Sequence, residues 1–325
     1  MRKLIAILTA AVLCFSAARA QGQFRRVKDI AKRAVKAASE RSGRISNTRG
    51  KTRKKGARKK AAAKKRAATK DPAWVKPMRD VHAKFKGTRG TFAHFGDSIT
   101  ASRAFWSSMK YSHKNMDKDA RAAFNLVKAY MRDECWSDWK EDKFGNKGRM
   151  TIRWAHKNVD TWLKTLKPEA ALIMFGTNDL HALKVEEYEK KTREVVQKCL
   201  DNGTVVILST IPPRHRYDAK AKTFVQAVRR IAKDMKVPLC DYYKAIMDRR
   251  PDDWDGTLAK FDEGGWKGYD VPTLIARDGV HPSNCKKHRG DYSKKGLKNN
   301  GFVLRNYVVV HAYAEAVRKV FKSRR

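Results

Sequence analysis

Four short apolar runs limit how this chain can fold. The first is Phe92-Ala93-His94-Phe95, closed by Gly96. The second starts at Ala170 and is closed by Gly176, the third ends at Thr210, and the fourth covers Val237 to Cys240. A strand buried on both faces reads as a continuous apolar run, not as an alternating one. Helix-length stretches separate the runs, the pattern of parallel strands joined by crossover helices. Ile152, Ala155, Val159, Trp162, Leu163 and Leu166 fall at helical spacing and predict a helix over 151–166. A second helix is expected over 185–200, ended by Asn202-Gly203 before a strand over 204–210. Residues 71–325 are ample for one large core, and no internal repeat points to a solenoid.

Asp97 and Ser98 follow Gly96, where a strand hands over to a helix. In an open α/β sheet, ligands bind at the carboxyl ends of the strands, so this turn is where a nucleophilic hydroxyl would be presented. On the segment 91–100 alone, Ser98 reads equally as a helix N-cap. Two distant stretches change that reading. Gly176-Thr177-Asn178-Asp179 closes the second apolar run, and Asp278-Gly279-Val280-His281 places a carboxylate three residues before an imidazole.

Taken together, and in this order, the three stretches resemble the blocks of the SGNH hydrolases, also called GDSL-type esterases and lipases. Gly96-Asp97-Ser98 matches the first block, Gly176-Thr177-Asn178-Asp179 the third and Asp278-Gly279-Val280-His281 the fifth. The second block contributes a glycine. Gly145-Asn146-Lys147-Gly148 stands in its place, with Gly148 the closer counterpart, although the wording around it departs from the commoner family pattern. The resemblance spans Phe92 to the C-terminus. It implies a three-layer α/β/α sandwich around a mostly parallel five-stranded, flavodoxin-like sheet. It also implies a serine esterase that needs no metal or organic cofactor. In that reading Ser98 is the nucleophile, His281 the general base and Asp278 the group that orients the imidazole. The oxyanion donors are then the backbone N–H groups of Ser98 and Gly148 and the side-chain amide of Asn178.

Those residue types suit acyl transfer. A neutral serine hydroxyl is a poor nucleophile and needs a base, and imidazole as a residue type titrates near neutral pH. A carboxylate one turn away fixes its tautomer. Structural roles are expected for Asp97 and Asp179, and a core position for His94. Trp106, Trp136 and Trp139 in the segment 101–144 are expected to form that insertion's own small core, with sugar stacking as the alternative. Arg214, His215 and Arg216 follow Ile211-Pro212-Pro213 and are placed on a loop over the site, with surface solvation the expected role and binding of an anionic substrate group the alternative. The stretch 251–275 is expected to be a loop beside it.

The rest of the chain speaks to location. Residues 1–20 have a basic start, an apolar centre too short for a permanent span, and Ala18-Arg19-Ala20. This is the layout of a secretory signal cleaved after Ala20, and it predicts a secreted or periplasmic protein. Residues 21–72 form a Lys/Arg/Ala-rich segment expected to be disordered, and the hydrolase domain is assigned to 73–325. Positions 21–70 hold 20 Lys or Arg against Asp29 and Glu40, a net +18 of the chain's +41. Residues 71–325 keep +20 once the signal's +3 is subtracted. Such charge favours an anionic polymer or a membrane surface as a contact for residues 21–70, with a solvated spacer the alternative; nucleic acid is not expected after an export signal. Cys135, Cys199, Cys240 and Cys285 permit two disulfides (Cys199 with Cys240, Cys135 with Cys285) or four buried thiols. Without a Cys-x-x-Cys pair, a zinc or redox site is not expected.

The expected substrate is an ester, with O-acetyl or similar acyl groups on a carbohydrate polymer placed first. A lipid or lysophospholipid ester is the alternative among enzymes. A polyanion-binding surface protein with a vestigial hydrolase domain is the alternative outside them.

Overall fold

The computed structural model describes residues 71–322. The expectations for residues 1–70, the signal and the basic segment, lie outside the described residues. The compact unit that carries the fold begins at Asp71.

Each of the four apolar runs forms a strand: β1 (Phe92–Gly96), β2 (Ala170–Met174), β3 (Val205–Ser209) and the two-residue β4 (Leu239–Cys240). All are parallel and lie in the order β1-β2-β3-β4, with Phe92 level with Ala170 and Ala170 level with Val205. Every residue of β1, β2 and β3 is buried, which is why their sequences do not alternate.

Among the described residues, six helices of eight residues or more surround the sheet. They are α1 (Val75–His82), α2 (Lys118–Tyr130), α3 (Ile152–Leu166), α4 (Val185–Asp201), α5 (Asp218–Asp234) and α6 (Gly301–Ala316). Because the strands advance in one direction, right-handed crossovers set α3, α4 and α5 side by side on one face. The other face is covered by α2 and α6, where the Tyr313 ring lies flat on Phe92 at 3.9 Å between centroids. The result is a three-layer α/β/α sandwich. Pro77 is the third residue of α1, where its missing N–H has no intrahelical partner to lose.

The sheet has four strands where five were expected. At the free edge of β1 the fifth strand is reduced to a single parallel bridge between Gly96 and Asn146. Positions 140–149 are charged or glycine apart from Phe144 and Asn146 and cannot form a strand buried on both faces. The buried Asn146 amide takes over the pairing. Its Nδ2 donates to the carbonyls of His94 (3.2 Å) and Trp139 (3.0 Å), and its Oδ1 accepts from the Glu141 N–H at 3.1 Å. Further along the same edge, the Phe92 N–H donates to the Cys135 sulfur at 3.3 Å.

Trp106 and Trp136 are buried and stack at 5.1 Å, as the packing expectation required. They join the main core instead of a separate one, since Trp106 also meets Phe92 and His94 edge-on. The four cysteines of the described residues, Cys135, Cys199, Cys240 and Cys285, are buried and free, so neither proposed pairing forms.

Candidate active site

Gly96 is the last residue of β1, and its backbone passes too close to its neighbours for any side chain. A Cβ there would lie 2.1 Å from Thr100 Oγ1 and 2.8 Å from the Met174 carbonyl. Glycine is therefore required by close approach more than by a special turn. Asp97 caps the following helical turn, Ser98–Ala101, by accepting the Ile99 N–H at 3.0 Å. Ser98 is thus the first residue of that turn, and its own N–H has no acceptor among the described residues.

Across 183 positions of sequence, Ser98 Oγ meets His281 Nε2 at 2.8 Å. The other ring nitrogen, Nδ1, donates to Asp278 Oδ2 at 2.6 Å. Asp278 Oδ1 accepts the backbone N–H groups of Val280 (2.9 Å) and His281 (3.0 Å), so one carboxylate both orients the ring and shapes the turn beneath it. Burial would push the Asp278 carboxyl up. The hydrogen bonds from the His281 ring and from these two backbone groups outweigh burial and hold it below the ordinary carboxylate value.

Gly148 lies against Ser98, its Cβ position 3.8 Å from the serine Cβ, and its N–H also lacks an acceptor among the described residues. Gly145 does a different job: with φ +86 and a Cβ position 2.3 Å from the Phe95 ring, it lets the edge loop reach β1. The Asn178 amide donates to the Met150 carbonyl at 3.0 Å, two residues beyond Gly148, and comes within 3.5 Å of Asp97. All five expected site residues therefore meet at the carboxyl end of the sheet. Among them are two unsatisfied N–H groups and one amide beside a serine hydroxyl bonded to an imidazole.

The supporting residues carry more than local turns. Asp179 does not cap its own turn. Its Oδ1 accepts the Ile152 N–H at 2.8 Å, tying the Asn178 loop to the start of α3 just past Gly148. Burial first, and the neighbouring Asp97 next, push the Asp179 carboxyl up to about 7; burial pushes Asp97 up to about 6. His94 is fully buried among aromatic rings, and burial holds it well below the ordinary imidazole value, so it is a neutral core residue.

Two residues not foreseen from the sequence hold the nucleophile turn from below. Arg305 of α6, fully buried, donates to the Ile99 carbonyl (2.6 Å) and to Thr100 Oγ1 (2.8 Å), and its guanidinium lies 3.7 Å from the Phe105 ring centroid. Lys140 Nζ donates to the Thr100 carbonyl at 2.7 Å. The one legible signal was Arg305 itself, the only Lys or Arg in a largely apolar helix. Arg214, His215 and Arg216 do lie beside the site: the His215 N–H donates to the Gly279 carbonyl at 2.8 Å, inside the Asp278–His281 turn. Among the described residues, no group of His, Cys, Asp or Glu is arranged to hold a metal ion.

The sequence profile of the GDSL-like lipase/acylhydrolase family matches residues 94–284. No curated protein matches the chain. Several solved structures are similar to it. The psychrotrophic esterase EstA from Pseudoalteromonas sp. is 14% identical with a TM-score of 0.44, over 70% of this chain and 99% of that one. A catalytic mutant of the acetylxylan esterase Axe2 from Geobacillus stearothermophilus is 15% identical with a TM-score of 0.42, over 74% and 97%. A GDSL-like lipase from Bacteroides thetaiotaomicron is 14% identical with a TM-score of 0.42, over 76% and 98%. The profile covers more than half of the chain and includes Ser98, Asn178 and His281, so this protein belongs to the GDSL-like lipase/acylhydrolase family and is a hydrolase acting on ester bonds.

Proposed function

We propose that Ser98, His281 and Asp278 act as a catalytic triad, with the N–H groups of Ser98 and Gly148 and the Asn178 amide as the oxyanion hole. The observation that carries this is the continuous chain of hydrogen bonds from Ser98 Oγ through both nitrogens of His281 to Asp278. Ser98 Oγ attacks the ester carbonyl while its proton passes to His281 Nε2. The C–O bond then breaks, and His281 returns the proton to the departing alcohol. Water repeats the sequence on the acyl-serine, with His281 as base, and releases the carboxylic acid. Asp278 holds the Nδ1–H tautomer and stabilises the imidazolium. The three donors stabilise the oxyanion in both half-reactions.

For the substrate, we propose a small O-acyl group, such as acetyl, on a carbohydrate polymer, with the protein exported after cleavage behind Ala20. Three features support this reading: the signal-like leader, the net positive charge of residues 71–325, and an aromatic ring at the mouth of the site. Tyr269, 46% exposed, stands edge-on to the His281 ring with centroids 5.6 Å apart, where a sugar ring can stack. In this reading the basic segment 21–70 contacts anionic polymer or membrane surface.

Hydrolysis of p-nitrophenyl acetate, a long-chain p-nitrophenyl ester and acetylated xylan by wild type and Ser98→Ala tests the reading. Ser98-dependent activity on the acetyl substrates is expected. A preference for the long chain would move the substrate to lipids, and an active Ser98→Ala variant would remove the triad.

A further inference from the structure

On the loops beside the site, three arginines have no carboxylate partner among the described residues. Arg149 is exposed beside Gly148, has a left-handed backbone (φ 66), and forms no ion pair with a described residue. Arg216, also exposed at φ 62, lies two residues from Arg214 and is likewise unpaired among the described residues. Beside them, Lys147 pairs with Asp142 (3.3 Å) and Arg277 with Asp262.

Arg214 differs from the other two because it is fixed in place. Its Nη1 donates to the Thr177 carbonyl at 2.5 Å, and its guanidinium packs 5.2 Å from the Tyr217 ring centroid. Its remaining N–H groups have no acceptor among the described residues. It is half-buried, and burial lowers its pKa, so the fold bears the cost of desolvating a cation without giving it an ion-pair partner. Its anchor at the Thr177 carbonyl adjoins Asn178, and the N–H of the next residue, His215, donates to the Gly279 carbonyl inside the Asp278–His281 turn, which places its charge beside the reacting centre. A planar donor group held rigid by stacking, with its outward N–H groups free, is the arrangement arginine uses to take a carboxylate in two-point fashion.

We propose that Arg214 determines specificity by binding an anionic group of the substrate, so that the ester is carried by an acidic sugar such as a uronic acid and not by a neutral one. This rests on Ser98 being the nucleophile. Arg149 and Arg216 extend the positive rim along an acidic chain, while Arg214 reads the charge next to the scissile ester.

The test uses the full-length protein on O-acetylated oligogalacturonides and on O-acetylated xylo-oligosaccharides. The readout is the ratio of kcat/KM for the acidic to the neutral substrate. Wild type is expected to favour the acidic substrate by about tenfold or more at low salt, shrinking as salt rises. Arg214→Gln should lower that ratio by about tenfold, through KM for the acidic substrate, and Arg214→Lys should fall between. Lys233→Gln, which removes an equal charge from the exposed end of α5, controls for net charge and should leave the ratio within about twofold. If Arg214 only supported the Thr177–Asn178 loop, both substrates would suffer alike and the ratio would stay put. An unchanged ratio in Arg214→Gln, or a wild type indifferent to charge, overturns the proposal while leaving the triad intact. Activity that survives Ser98→Ala would instead remove the reading beneath it.

Discussion

Replacing Asp179 by Asn should stabilise this protein at alkaline pH and not at acid pH. The Asp179 carboxyl sits in the core next to Asp97, accepts one backbone N–H through Oδ1, and leaves Oδ2 buried without a partner. Burial raises it from 3.8 to about 7. The folded carboxyl therefore keeps its proton up to about pH 7, while the unfolded one gives it up near 3.8. Between those values the folded state binds more protons, and stability falls as pH rises through the window. The rise is worth about 4 kcal/mol once pH exceeds 7. Asn keeps the Oδ1 acceptor for Ile152, carries no charge, and removes the repulsion on Asp97. Its unpartnered amide costs about 1–3 kcal/mol at any pH. Chemical denaturation of wild type and Asp179→Asn at pH 4 and pH 8 should give a difference in ΔΔG between the two pH values of about 4 kcal/mol, favouring the variant at pH 8. An identical ΔΔG at both would show that Asp179 is ionised in the folded protein at low pH, and the burial argument would fail.

The remaining predictions concern the site and its surroundings. Asn178→Ala should lower kcat by about 10²–10³ with little change in KM, measured on p-nitrophenyl acetate, because the amide is used only when the oxyanion forms. Asp278→Asn should cost about 10³–10⁴ in kcat, since an amide at this position favours the wrong tautomer of His281, while circular dichroism stays native. The four cysteines should react with a thiol reagent only after unfolding, and reductant should leave Tm unchanged; a shift in Tm would show that a disulfide forms.

Much of this architecture was legible because burial on both faces leaves a continuous apolar run. Phe92 to Phe95, Ala170 to Met174 and Val205 to Ser209 could be read directly as strands, and Ile152 to Leu166 directly as a helix. Ser98, Asn178 and Asp278 to His281 were legible for a related reason: each follows a run or sits in a tight turn, where the chemistry needs a fixed residue type. The reduction of the expected fifth strand to a single bridge was not legible. The edge of β1 is completed by one side-chain amide, Asn146, and a single asparagine in a charged loop carries no periodicity. Arg305 and Lys140 were missed because they act from 206 and 40 residues away on the carbonyls of Ile99 and Thr100. No local pattern encodes such a contact. The bond from the Ile152 N–H to Asp179 was not legible because sequence shows neighbours in the chain and not the group packed against a side chain.

The central claim is that Ser98 is made nucleophilic by His281 within the geometry described above. A fluorophosphonate probe, which reacts with an activated serine, followed by peptide mass analysis, tests it most directly. One adduct on Ser98 is expected, absent in Ser98→Ala and slowed by about 10³ or more in His281→Ala. An adduct on another residue, or a Ser98 adduct forming equally fast without His281, would contradict the account.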